Sequence, residues 1–355
     1  MTDSLQVALA VVGISGLVAL VGWNTWQARR SRIKSAATLP PQEPRLAEPV
    51  FDADDTVPQE RDPADIAVGA VLQQAAPAAR REAARLDPLI DALAAITPEA
   101  PVSGEQAQAH LPPTRRAGSK PFAIEGLATD TGQWEPVQPG RSYSEFQAGV
   151  QLANRLGALN EIEYSEFVHK VQAFADALGA AVDFPDMLDV VARARELDHF
   201  ASEHDAQLAM HLRARGSAWS IGYVQQHAAR HGFVPGAMPG RLVLPSPDEG
   251  APPILTLQFD AQAAFAEDPS QVAVRELTLA FDVPQTAPEQ EPFLAWRAAG
   301  EALAPTLDAD LTDDRGQPLP PAAFESIGRE LARLYEALAQ RDLAAGSPLA
   351  RRVFS

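Results

Sequence analysis

The sequence predicts an α+β protein: an N-terminal transmembrane helix, a disordered linker, then two similar split β-α-β domains, each with an antiparallel sheet covered by helices on one face. Three observations carry that expectation. They are an uncharged apolar run near the N-terminus, a proline- and acid-rich stretch behind it, and an order of strands and amphipathic helices that occurs twice in the remainder. The boundaries fall at 1–34 (anchor and basic flank), 35–85 (linker), 86–203 (first domain), 204–345 (second domain) and 346–355 (tail).

Leu5 to Trp23 is an uncharged, mostly apolar run of 19 positions. At about 1.5 Å per helical residue it matches the ~30 Å hydrocarbon core of a bilayer. Trp23 and Trp26 suit the interface, and Arg29, Arg30, Arg32 and Lys34 follow at once, whereas Asp3 is the one charged side chain before the run. Basic residues stay on the cytoplasmic side, so the globular part is expected in the cytoplasm and the N-terminus outside it. A cleaved signal peptide would need its basic residues before the apolar run, not after it.

From Ser35 to Pro77 the chain carries seven prolines, and Glu43, Glu48, Asp52, Asp54, Asp55, Glu60, Asp62 and Asp65 are opposed by Arg45 and Arg61 alone. Phe51 is the one aromatic there. Such a composition buries too little apolar surface to offset the entropy of ordering, so this stretch is expected to be an extended, solvated leash.

The rest reads as one pattern used twice. Strands are expected at 122–127 and 145–152 in the first copy, and at 241–244, 254–259 and 275–283 in the second. Leu277, Leu279, Phe281 and Val283 alternate with Thr278, Ala280 and Asp282, the mark of a half-buried antiparallel strand. Phe167, Val171, Phe174 and Leu178 recur at helical spacing, as do Phe293, Trp296, Gly300 and Leu303. These helices run into similar strings, Ala-Asp-Ala-Leu-Gly-Ala-Ala-Val-Asp (175–183) and Gly-Glu-Ala-Leu-Ala-Pro-Thr-Leu-Asp (300–308). Each copy closes on a longer helix, around Met187 to Phe200 and Phe324 to Leu338. A sheet with helices on one face leaves its other face as a platform for binding.

Composition argues against several functions. A net charge of −18 (29 basic against 47 acidic residues) repels phosphate backbones, so no nucleic-acid partner is expected. The absence of cysteine removes disulfides, thiolate metal sites and cysteine nucleophiles. His227 and His231 have a spacing that can ligate zinc, but no third ligand accompanies them, and Asp313 and Asp314 precede a turn. No phosphate loop, dinucleotide fingerprint or nucleophile elbow occurs, so no enzyme, cofactor, metal or small-molecule substrate is expected.

The second copy resembles the C-terminal domain of the ZipA family of bacterial cell-division proteins. The residues carrying the resemblance are Ala206 to Ala214, His-Gly-Phe-Val-Pro-Gly-Ala-Met (231–238), Phe-Asp-Val-Pro (281–284), Leu-Asp-Ala-Asp-Leu-Thr-Asp-Asp (307–314) and Pro320 to Glu330. The layout of anchor, proline-rich linker and head is also the family's. The resemblance implies a single-pass inner-membrane protein at the division septum. Its head would receive the C-terminal peptide of FtsZ on the free sheet face and so tether and stabilise the Z ring. By position, that groove maps onto Gln207, Ala209, Met238, Gly240, Phe259, Ala261, Thr278 and Ala280. The family has larger apolar residues at most of these places, so a contact of smaller apolar area is expected. The other reading is a membrane-tethered scaffold for a different division or envelope protein. The first copy is the more diverged, and its 149–167 segment is rich in polar residues.

Overall fold

Residues 86–259 and 273–355 are described by a computed structural model. The expected transmembrane helix, its basic flank and the linker lie outside the described residues.

The first half begins with β1 (Asp91–Pro98), β2 (Val102–Ser103), a short helix α1 (Gly104–His110), β3 (Arg116–Ala117), β4 (Lys120–Ala128), β5 (Trp134–Pro136) and β6 (Ser142–Gln151). A small hairpin of β7 (Ala153–Asn154) and β8 (Gly157–Ala158) leads to α2 (Glu161–Leu178), β9 (Ala180–Asp183) and α3 (Met187–His204). The sheet is antiparallel in the order β3-β4-β6-β1-β9, with β5 on the far part of β4. Helix α2 starts on a capping box, in which Asn160 accepts from the Glu163 amide and the Glu163 carboxylate answers the Asn160 N–H, and it stops at left-handed Gly179. Its Phe167, Val171 and Phe174 are buried against Phe122, Ala148 and Phe146 of the sheet. Phe146 and Phe174 meet edge to face at 5.5 Å.

The second half opens with β10 (Gln207–Ala214), β11 (Trp219–Ser220), α4 (Ile221–Ala229), β12 (Val234–Pro235), β13 (Arg241–Leu244) and β14 (Leu255–Gln258). It continues through β15 (Ala273–Val274), β16 (Glu276–Asp282), α5 (Pro292–Leu307), β17 (Ala309–Thr312) and α6 (Pro321–Gln340). Its antiparallel sheet runs β12-β13-β14-β16-β10-β17. Met210, Leu212, Leu255, Leu257, Leu277, Leu279 and Phe281 form its core face, under Trp296, Leu303 and Leu307 of α5. Trp296 donates its indole N–H to the Leu279 carbonyl at 2.8 Å. Gly300 lets α5 come down on β10, since a Cβ there would lie 2.3 Å from Met210 Sδ.

The two sheets are ordered alike. In each, the opening strand (β1, β10) lies between the strand after the long helix (β9, β17) and the strand before it (β6, β16). The next strand out is β4 in one and β14 in the other.

The halves share elements at the C-terminus. Helix α6 buries Phe324 and Leu331 in the second core and Leu338 in the first. The last ten residues, set apart as a tail in the sequence reading, form a further helix, α7 (Pro348–Val353), and Ala350, Val353 and Phe354 are buried in the first core. Arg352 makes a two-pronged pair with Asp91 at 2.5 and 2.9 Å, and the Asp91 side chain is fully buried. Arg155 spans the junction, donating to both Asp205 and Asp282. Those hydrogen bonds, Asp205 first, raise the Arg155 pKa; burial pushes the Asp282 carboxyl up despite Arg155.

Candidate partner-binding face

Alternation along a strand sends neighbouring side chains to opposite faces. With Leu277, Leu279 and Phe281 turned to the helices, Thr278, Ala280 and Asp282 belong to the open face of the second sheet. Pairing register then fixes what lies beside each. Ala280 stands opposite Ala209 on one side and Thr256 on the other, Thr256 opposite Val243, and Val243 opposite Val234. The result is a row of small and apolar residues crossing five strands. The next row, Arg241, Gln258, Thr278, His211 and Thr312, is polar.

Several polar groups on that side are engaged within the domain. His211 lies 3.0 Å from Glu276 and 2.9 Å from Asp314, with Thr278 Oγ1 at 3.3 Å. Arg213 pairs with Glu276, and Arg215 with Asp310. Small side chains in one row and tall, mutually paired ones in the next make a shallow trough. The trough continues at Val243 into a groove of about 430 Å³, lined by Ala237, Met238, Val243, Pro245 and Pro253, with Asp248 and Glu249 at its rim. Met238 is 54% exposed, the marked exposure of a large apolar side chain beside this face.

The chain matches no protein-family model and no curated protein.

Of the expected site residues, Ala209 and Ala280 lie in the small row, Thr278 in the polar row, and Gln207 at the end of β10 opposite Asp282. Met238 and Gly240 sit in the turn between β12 and β13, where Gly240 has φ +77° and accepts from the Phe259 N–H at 3.0 Å. Gly240 therefore shapes the turn and offers no side chain to a groove. Phe259 is a correction: it continues the period-two run of Leu255 and Leu257, is 9% exposed, and belongs to the core under the helices. Ala261 lies outside the described residues. Val234, Val243 and Thr256 are on the face and were absent from the expected set. The alternation of Arg241-Leu-Val-Leu244 and the turn chemistry of Met238-Pro-Gly240 are the signals that point to them.

The first domain holds a different polar centre. Lys120 is fully buried, donating to Asn154 Oδ1 at 2.8 Å and the Gly157 carbonyl at 2.5 Å. Burial pushes its pKa down, and the Glu163 and Asp198 carboxylates oppose that. Glu163 accepts from the Ser119 amide and hydroxyl at 2.7 and 2.6 Å. Burial raises the Glu163 carboxyl, but these bonds, the Asn160 amide and Lys120 outweigh it and hold the group below its ordinary value. Asn154, Asn160 and Glu163 of the polar 149–167 segment thus belong to one structural clasp around Lys120. Among the described residues no group of three or more metal-ligating side chains comes together, and His227 packs on the Tyr223 ring at 4.2 Å.

Proposed function

We propose that this chain is a membrane-tethered, non-enzymatic receptor of the ZipA type, which holds FtsZ filaments to the bacterial inner membrane through the FtsZ C-terminal peptide. The reading has Leu5 to Trp23 as a single span with the N-terminus periplasmic, residues 35–85 as leash, and the globular part cytoplasmic at the septum. Among the described residues no helix is long and apolar enough to cross a membrane. The like order of the two sheets supports an internal duplication in which the first copy has diverged.

The observation that carries the proposal is the contiguous row Ala209–Ala280–Thr256–Val243 opening into the groove at Met238. A peptide helix laid across the strands would set its apolar edge in that row. Ala209 and Val243 are partly exposed on either side of the buried Ala280 and of Thr256, and apolar surface beside a polar rim is the pattern of an interaction site. The polar row at His211 favours the second reading, a different division or envelope protein, because it leaves less apolar area than a purely hydrophobic trough.

Co-sedimentation of the chain with polymerised FtsZ from the same cell separates the two. On the FtsZ reading the chain pellets with filaments, fails to pellet when FtsZ lacks its C-terminal peptide, and binds roughly thirty-fold more weakly after Met238→Ala. Absence of pelleting with intact FtsZ would move the assignment to the scaffold reading.

A further inference from the structure

The outer edge of the first sheet is incompletely covered. Strand β3 pairs with the start of β4 and β5 with its end, so the middle of β4 faces a slot instead of a strand. Leu111, Phe122, Ile124, Pro136 and Val137 line the slot, a narrow cavity of about 70 Å³. Thr114 and Arg115 line it too, and they also border an adjoining depression with Arg116 and Lys170. Lys170 is engaged by Glu166 at 2.6 Å. Among the described residues, Arg116 reaches only the Ser119 carbonyl and the Arg115 side chain has no hydrogen-bond or ion-pair partner. An apolar slot with a cationic mouth is unusual on a chain of net charge −18.

We propose that the occupant is this chain's own acidic linker. Residues 48–57, Glu-Pro-Val-Phe-Asp-Ala-Asp-Asp-Thr-Val, would place Val50 and Phe51 in the slot and the Asp52, Asp54 and Asp55 carboxylates against Arg115 and Arg116. Two further observations point to this occupant. The described chain begins at Leu86, which lies over Gly149 of the neighbouring strand β6 and whose N–H bonds the carboxylate of the slot residue Glu125 at 3.2 Å, so the linker enters within one strand of the slot. Phe51 is the one aromatic between 35 and 85, and the acidic cluster follows it directly. A flexible chain from Leu86 back to Phe51 spans roughly 30–35 Å, which holds the segment at an effective concentration on the order of millimolar. Weak contacts suffice at that concentration. Because the pairs are exposed, salt screens them. Docking would close residues 58–85 into a loop and leave the part before residue 48 as the free leash. That consequence for reach rests on the membrane-anchor reading; the docking itself does not.

The absence of cysteine makes the test direct. Spin labels at Ala53→Cys and at exposed His110→Cys, just before the slot residue Leu111, report their separation by pulsed electron paramagnetic resonance on the full chain in detergent. At low salt the proposal expects a narrow population, shorter than the roughly 30 Å span of a free chain between residue 53 and Leu86. It should disperse at high salt and in Arg115→Glu/Arg116→Glu, and return when that variant also carries Asp54→Arg/Asp55→Arg. A melt of each variant shows that the domain is intact, and the salt arm needs no substitution. A broad distribution in the unsubstituted linker at low salt overturns the proposal. So does a narrow one that survives charge reversal, or a double reversal that restores nothing.

Discussion

The two sheets share a strand order and differ in what covers their open faces. On the first sheet, Asp91, Glu125 and Gln151 face away from the helices yet are 1–2% exposed. Arg352 and the α7 backbone close over Asp91 and Gln151, while the Leu86 amide and Gln147 engage Glu125. The Leu86 and Leu93 side chains lie on Gly149, where a Cβ would come within 2.6 Å of Leu86. On the second sheet the corresponding surface carries Ala209, Thr256 and Val243 with partial exposure, and no helix crosses it among the described residues. One framework thus supports a face covered at its Asp91–Gln151 end by α7 and Leu86, and a face with no such cover among the described residues. Sealing requires buried polar groups with dedicated partners; openness requires small side chains and charges paired within the rim.

Breaking the seal should have the largest effect. Arg352→Ala leaves the fully buried Asp91 carboxylate without its charge partner, which costs about 3–5 kcal/mol. A thermal or urea melt should show that loss, and Asp91→Asn in the same background should recover part of it. If Arg352→Ala melts like the parent, the seal is not energetically important.

Nearly as large is the effect expected on the helix side of the second sheet. Phe259→Ala empties a core position and should destabilise by about 3 kcal/mol, whereas Met238→Ala should stay within about 0.5 kcal/mol of the parent. Equal melting of the two variants would contradict the placement of Phe259 under the helices.

Acid should act on the first half through Glu163. Its folded pKa lies below the ordinary 4.5, so its contribution to stability is present above pH 4.5 and is lost as pH falls through the folded value. Asp282 works in the opposite sense: its folded pKa is raised above 3.8, so protonation favours the folded form and stability declines as pH rises through that window. Glu163→Gln should lower stability at pH 7 by about 1–2 kcal/mol and flatten the acid limb of a stability profile. An unchanged acid limb in that variant would show that other carboxylates set it.

The smallest effect belongs to the rim. Arg215→Ala removes an exposed pair with Asp310 and should leave the melt close to that of the parent, with any difference shrinking at high salt. A loss near that of Arg352→Ala would erase the distinction between the two faces.

Much of this contrast is legible in the sequence where periodicity governs it. Leu277, Leu279 and Phe281 alternate, and Phe167, Val171 and Phe174 recur at helical spacing, so both sheets and their covering helices can be read from local pattern. Alternation also assigns Ala209, Thr278 and Ala280 to one face, as found. The same rule applied to Leu255 and Leu257 sends Phe259 the other way, and Pro239-Gly240 marks a turn, not a strand; mapping the groove by family position missed both. The seal could not be read locally. Asp91 and Arg352 are 261 positions apart, and neither residue type nor spacing announces that a C-terminal helix returns to the first sheet. Nor does a lone Lys120 in a strand reveal the Asn154 and Gly157 acceptors that let it be buried.

The central claim is that the open face of the second sheet receives a peptide while the first is closed. Titrating the FtsZ C-terminal peptide into isotope-labelled protein and following its resonances tests this most directly. The account predicts saturable shifts confined to Ala209, Thr256, Ala280, Val243 and the Met238 methyl, with the Asp91 and Gln151 signals unmoved. Saturable shifts on the first domain alone, or none anywhere at millimolar peptide, would contradict it.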